Sequence, residues 1–183
     1  MKKAALISIF LSLFCIVNLV WGEIDLKEIE KLAESGNVEA QFNLGLMFDQ
    51  GQGVPQNYTE AAKWYRKAAE QGHADAQYFL GTMYIQGQGV PQNYTEATTW
   101  LKKAAEQGLT DAQFILGGMY YHGQGVLKSL KAAYVWWSIA SESGDKLSKK
   151  NLETLSSEMT QQQIAQAQKE AAKLRKRINK SKK

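Results

Sequence analysis

Gly36, Gly72, Gly108 and Gly144 stand 36 residues apart, and nearly everything between them repeats. Segments 40–48, 76–84 and 112–120 write one pattern three times: Ala-Gln-aromatic-x-Leu-Gly-x-Met-aromatic. A fixed period of this length is the signature of stacked helical hairpins, in which no unit buries its apolar face alone. Such a stack presents an extended surface rather than an enclosed catalytic pocket. The spacing therefore predicts an all-α, superhelical solenoid of antiparallel helical hairpins.

Within a unit, the two helices can be read from their apolar faces and their ends. Ala40, Leu44, Met47 and Phe48 share one face at helical spacing, and Gly45 lies on it. Gly45, Gly81 and Gly117 are structural anchors, because a missing side chain lets the partner helix come close. Gly51 and Gly53 end the first helix, and Pro55 bars its continuation. Asn57 with Glu60, and Asn93 with Glu96, have the spacing of a capping box that opens the second helix. Trp64, Trp100 and Trp136 recur on the inner face of that helix. Each is expected to bury on the order of 150–250 Å² between neighbouring hairpins. In the third copy Leu127 replaces the proline and Ser129 stands where asparagine caps the others, which predicts a less defined helix start.

The ends of a solenoid need caps. Residues 25–33 read as a lone second helix with Leu26, Ile29 and Leu32 inward. Residues 145–156 read as a lone first helix with Leu147, Leu152 and Leu155 inward. Thr160 and Gln163 form a further capping box, opening a helix striped by Ile164, Ala167, Ala171, Leu174 and Ile178. The expected division is a signal peptide at 1–22, a capping helix at 23–36, repeats at 37–72, 73–108 and 109–144, capping helices at 145–178 and a basic disordered tail at 179–183.

Lys2 and Lys3 precede an apolar stretch at 4–17, and Val20-Trp21-Gly22 offers a small residue before a cut. This is the layout of a secretory signal peptide. The rival is a retained anchor, since the apolar stretch is just long enough to span a bilayer. Cleavage is favoured because the chain turns acidic and helical after Gly22. The single cysteine, Cys15, lies in the apolar stretch, and bulky Phe14 argues against lipidation. A mature chain would then have no disulfide, thiolate or cysteine-ligated zinc. The net charge of +4 hides an asymmetry: residues 23–168 carry 12 basic and 17 acidic groups, and 169–183 carry 8 and 1. The basic end has two readings, a solvated terminus or a weak contact with an anionic membrane surface.

The run from Ala74 to Gly108, Ala-x-Ala-Gln-x-x-Leu-Gly-x-Met-Tyr-x-x-Gly-x-Gly-Val-Pro-Gln-x-Tyr-x-x-Ala-x-x-Trp-x-x-Lys-Ala-Ala-Glu-Gln-Gly, resembles the Sel1-like repeat, a relative of the tetratricopeptide repeat. Segment 159–168 resembles an end segment common in bacterial members. The resemblance implies a right-handed superhelix that binds or organises other proteins, with exported bacterial members tied to envelope functions or host interaction. By analogy with tetratricopeptide repeats, first helices line the concave groove. That places Glu39, Phe42, Leu46, Asp49 and Gln50 on the groove side, then Asp75, Tyr78, Thr82, Ile85 and Gln86, then Asp111, Phe114, Gly118, Tyr121 and His122. Acids recur at one edge and an aromatic ladder, Phe42-Tyr78-Phe114, runs up the middle. A peptide with basic and apolar side chains would suit it. The alternative is that the ladder is inter-hairpin core and the acids serve the helix dipole.

Catalytic chemistry is sparse. His73 and His122 are not at a ligand spacing and read as exposed and inert. Ser143-Gly144-Asp145-Lys146 spells the Ser-x-x-Lys of penicillin-recognising enzymes, but Gly144 interrupts the helix that motif needs. The Gly-x-Gly loops follow helices rather than strands, so they are not phosphate cradles. Asn57-Tyr58-Thr59 and Asn93-Tyr94-Thr95 match glycosylation sequons but read as helix caps. No cofactor, metal or nucleic-acid partner is expected. The expected function is a non-enzymatic, exported scaffold, periplasmic or secreted, binding a protein or peptide. The alternatives are a cell-wall penicillin-binding or hydrolytic protein using Ser143 or His122, and a membrane-tethered adaptor.

Overall fold

The computed structural model describes residues 26–181; the expected signal peptide, its cleavage point and Cys15 lie outside them, as do Lys182 and Lys183. All regular structure among the described residues is helical: α1 (26–34), α2 (Val38–Gln50), α3 (Tyr58–Glu70), α4 (Ala74–Gln86), α5 (Tyr94–Glu106), α6 (Thr110–His122), α7 (Leu130–Glu142), α8 (Lys146–Ser157) and α9 (Gln161–Ser181). Helices α2/α3, α4/α5 and α6/α7 are three hairpins of an α solenoid, each packed on the next, and α9 lies on α7.

One close contact sets the geometry inside every hairpin. A Cβ added to Gly45 would stand 2.6 Å from the Tyr65 ring, at Gly81 2.7 Å from Leu101, and at Gly117 2.4 Å from Trp137. The first helix thus offers bare backbone to a large residue of the second. The residue before each of those, Trp64, Trp100 and Trp136, is also buried. Trp64 joins Ala33 of α1 with Ala40 and Leu44 of α2 in one apolar cluster, so it ties a hairpin to the helix before it.

A second close contact sets the distance between hairpins. Gly89 and Gly125 have φ of 68° and 69°, and a Cβ there would fall 2.1 Å from the carbonyl oxygens of Tyr58 and Tyr94. The loop of one repeat therefore rests on the first turn of the second helix of the repeat before it. Only glycine meets both the left-handed backbone and the lack of space.

Buried glutamines add a polar clasp. Gln41 donates to the Ala33 carbonyl at 3.0 Å while its own oxygen accepts from Gln71 at 2.7 Å. Gln77 and Gln107 repeat the pairing at 2.8 Å, and Gln107 also reaches the Gly72 carbonyl. In the third copy Gln113 still donates to Ala105, but Ser143 replaces the outer glutamine and the buried Gln113 Oε1 has no hydrogen-bond partner among the described residues. A cavity of about 170 Å³ lined by Gln113, Ser143, Arg175 and Asn179 marks the place.

Several expectations need correction. The third copy's second helix starts in register with the other two, because Ser129 accepts from Ala132 N as the asparagines cap theirs. Asn57 and Asn93 each accept from two backbone amides, whereas Glu60 turns away to Lys63. The reciprocal box appears at Thr160, whose amide donates to Gln163 Oε1 while its hydroxyl accepts from Gln163 N. Leu147 points outward, since it occupies the register of Glu39, Asp75 and Asp111; Ser148, in the register of Ala40, Ala76 and Ala112, is buried instead. Leu32 is 44% exposed, because among the described residues no hairpin precedes α1 to cover it. Finally, α9 continues to Ser181, past Asn179 where a disordered tail was expected.

Three stability measurements check this account. Gly117→Ala is expected to cost about 1–3 kcal/mol through overpacking against Trp137. Its neighbour Gly118, with nothing within 4 Å of an added Cβ, should gain up to about 1 kcal/mol as alanine. Ser143→Gln should complete the third clasp, with a gain of about 1 kcal/mol seen as a raised thermal midpoint.

Candidate functional site

The 36-residue register puts each predicted groove residue at the same place on successive first helices. Glu39, Asp75 and Asp111 lie in the first turns of α2, α4 and α6 and are exposed. Phe42, Tyr78 and Phe114 follow, then Leu46, Thr82 and Gly118, then Asp49, Ile85 and Tyr121; all are half-buried. Gln50, Gln86 and His122 close the helices and are exposed. The ladder residues are at once packed against the core cluster and open to solvent on their other side.

The rings do not form a simple column. Phe42 stacks on His73 at 4.4 Å and meets Phe79 at 6.0 Å, while Phe79 lies flat on Tyr65 at 5.3 Å and edge-on to Tyr78 at 5.4 Å. The result is one aromatic cluster between the first two repeats. It does not recur above, because Ile115 stands at the register of Phe79 and Leu101 at that of Tyr65. Phe79 was missed from sequence; its neighbour Tyr78 carried the repeat and drew the reading.

His73 is a correction. Its side chain is 14% exposed, not free. Its Nδ1 accepts from Ala76 N and caps α4, which leaves Nε2–H to face the Glu39 carboxylate at 3.3 Å. His122 is exposed, edge-on to Tyr121.

The lower edge of the face holds a costly carboxylate. Asp49 is half-buried, and desolvation raises its pKa above the ordinary range, against the lowering effect of a long hydrogen bond from Tyr65 at 3.4 Å. Tyr65 is itself pushed up, first by burial and then by the Asp49 charge. Burial and the Asp111 charge likewise raise Tyr78. The Thr82 hydroxyl is already engaged with the Phe79 carbonyl. Tyr121 donates to Glu158, at the end of α8, at 2.7 Å, so this residue is partly drawn into the C-terminal cap.

Helices α2, α4 and α6 contain no lysine or arginine, and carry Glu39, Asp49, Asp75 and Asp111. The cations of the hairpins sit on the second helices and the last loop: Lys63, Arg66 and Lys67 on α3, Lys102 and Lys103 on α5, Lys131 on α7 and Lys128 before it. Lys67 and Lys103 lie over the Trp64 and Trp100 rings at 3.9 and 4.0 Å, which holds them at the second-helix side.

The Ser-x-x-Lys motif is not assembled as a catalytic pair. Ser143 caps the end of α7 and donates to the Ile139 carbonyl, Lys146 opens α8, and Gly144 between them has a φ of 100°. The two side chains do not share one helix face. Among the described residues no three His, Cys, Asp or Glu cluster to hold a metal, and no helix is long and apolar enough to cross a membrane.

Comparison with known proteins places this arrangement. The Sel1 repeat matches residues 38–73, 74–109 and 110–145. A Sel1 repeat protein from Oxalobacter formigenes superposes with a TM-score of 0.65 at 40% identity, over 71% of this chain and 98% of that one. The protein c5321, a protective antigen of uropathogenic Escherichia coli with an SLR fold, gives 0.65 at 29%, over 84% of this chain and 41% of its own. Helicobacter pylori cysteine-rich protein B gives 0.55 at 26%, over 69% and 96%. In sequence, the secretory immunoglobulin A-binding protein EsiB of Escherichia coli O6:H1 (strain CFT073) is 42% identical over 68 residues, which are 37% of this chain but only 14% of that protein. Proteins built from this repeat generally serve as scaffolds for protein interaction and typically carry no catalytic centre. With three consecutive copies over more than half its length, the chain belongs to the Sel1 repeat family.

Proposed function

We propose that this chain is a non-enzymatic, exported scaffold that captures a protein or peptide along its first-helix face, the concave side of the superhelix. The carrying observation is that α2, α4 and α6 hold acids and no lysine or arginine. A face without lysine or arginine, edged by four carboxylates and floored by half-buried Phe42, Tyr78 and Phe114, is complementary to a partner with basic and apolar side chains. The half-burial of the ladder matters: such rings are fixed by the core behind them, so binding orders little extra side chain.

Export is supported by the charged, apolar and small-residue order of residues 1–22. A host-facing or envelope role is supported by relatives named as an immunoglobulin A-binding protein and a protective antigen, each of which this chain covers only in part. Among the described residues, Ser143 bonds the Ile139 carbonyl and His122 meets Tyr121, and neither pairs with a group that the hydrolytic alternative requires.

The test is capture of partners from an extract of the native host by the immobilised chain. Tyr78→Ser with Phe114→Ser should reduce capture about tenfold or more, as loss of two anchoring rings does at an interface, while the helical circular dichroism survives. Unchanged capture would rule out this face. A second prediction concerns Asp49. Its raised pKa means the folded state binds a proton more tightly than the unfolded one, so its contribution to stability improves as pH falls. Asp49→Asn should therefore raise the thermal midpoint at pH 7 and lose that advantage near pH 3, where the wild-type carboxyl is neutral. A partner cation would offset the same cost, so the variant should bind more weakly although it is more stable.

A further inference from the structure

We propose that the outer face of α9 is a docking surface for an anionic phospholipid bilayer, and that it holds the solenoid by its C-terminal end. This goes beyond partner capture and uses a different part of the molecule.

Helix α9 carries six cations and one acid in the described residues. The acid and one cation are consumed in fastening it: Glu170 pairs with Lys131 at 2.9 Å, and Arg175 pairs with Glu142, both on α7. Ala167, Ala171 and Ile178 are buried on the side that packs there. What remains is Lys169, Lys173, Lys176, Arg177 and Lys180, all exposed and none with an ion-pair partner among the described residues.

Their arrangement is linear. The four lysines are spaced by four, three and four residues, so at about 100° per residue they fall within a narrow stripe directly opposite the buried one. At about 1.5 Å per residue the stripe runs for roughly 16 Å. Four ammonium groups along one straight helix, pinned to a rigid stack, can reach a plane together. The long methylene stems let each head settle at the level of lipid phosphates.

The charge of the rest of the chain gives the contact a direction. Residues 23–168 carry five more acids than bases, whereas 169–183 carry seven more bases than acids. An anionic surface attracts the end and repels the body, so the stack stands away from the bilayer with the acidic first-helix face free. The helix contains no aromatic side chain on which a base could stack, which favours a lipid surface over a single-stranded nucleic acid.

The test is sedimentation of the full chain with phosphatidylcholine vesicles containing about one-third phosphatidylglycerol, and with pure phosphatidylcholine vesicles, at about 0.1 M salt. The N-terminal segment is common to the wild type and every variant, so the readout is the anionic-over-neutral excess and its change on substitution. Binding to anionic vesicles should be tighter by about tenfold or more. Replacing Lys169, Lys173, Lys176 and Lys180 by glutamine should abolish that excess without changing binding to neutral vesicles, and replacing the same four by arginine should keep it. Lys63→Gln with Lys102→Gln, which removes charge elsewhere, should also keep it. The proposal is overturned by equal binding to the two vesicles or by an excess that survives the four glutamines. It is also overturned if a mixed-sequence DNA duplex is bound as tightly as the anionic vesicles. Self-association without lipid that vanishes in the glutamine variant would assign the stripe to the acidic face of a second copy instead.

Discussion

The missing side chains at Gly45, Gly81 and Gly117 set how closely the two helices of every hairpin approach. Each brings one helix against Tyr65, Leu101 or Trp137 at a distance that a methyl group would forbid. Because the three contacts share a register, the hairpins have one internal geometry, although the residue filling the gap changes from phenol to isobutyl to indole. The loop glycines at 89 and 125 then transmit that geometry from one hairpin to the next through backbone contact alone. A solenoid amplifies small differences, since any change in the hairpin is added at each step.

The same regularity creates the candidate binding face. When first helices stack in register, whatever occupies one position becomes a line across the molecule. Phe42, Tyr78 and Phe114 stand half-buried at one register, and Glu39, Asp75 and Asp111 exposed at another. The exceptions give it character. His73 takes the cap position of Asn37 and Asp145, so it both ends a loop and lays its ring on Phe42. Asp49, half-buried beneath its neighbours, is held there at a cost to stability. Departures from the repeat are therefore where strain collects, and the broken glutamine clasp at Ser143 is the same effect at the C-terminal cap.

The fold was legible because its determinants are local and recur. A glycine at fixed spacing, a cap at fixed spacing and an indole at fixed spacing each name a backbone event, and agreement among them leaves one architecture. Where the reading failed, it used helical periodicity in place of the repeat register. Leu147 looks like part of an apolar stripe with Leu152 and Leu155, but its register is that of the exposed acids. The missing asparagine before α7 looked like a lost cap, yet serine performs the same role. His73 looked like a loop residue because nothing nearby in sequence shows that Phe42, thirty-one positions earlier, lies against it.

The hairpin, its period, its stacking and the register of the residues on each face were readable along the chain, because they follow from backbone conformation and nearest-neighbour packing. Which rings meet and which carboxylate is desolvated came from the packing in three dimensions. These properties depend on distances between groups far apart in the chain, and a one-dimensional repeat specifies such distances only after the units have been stacked.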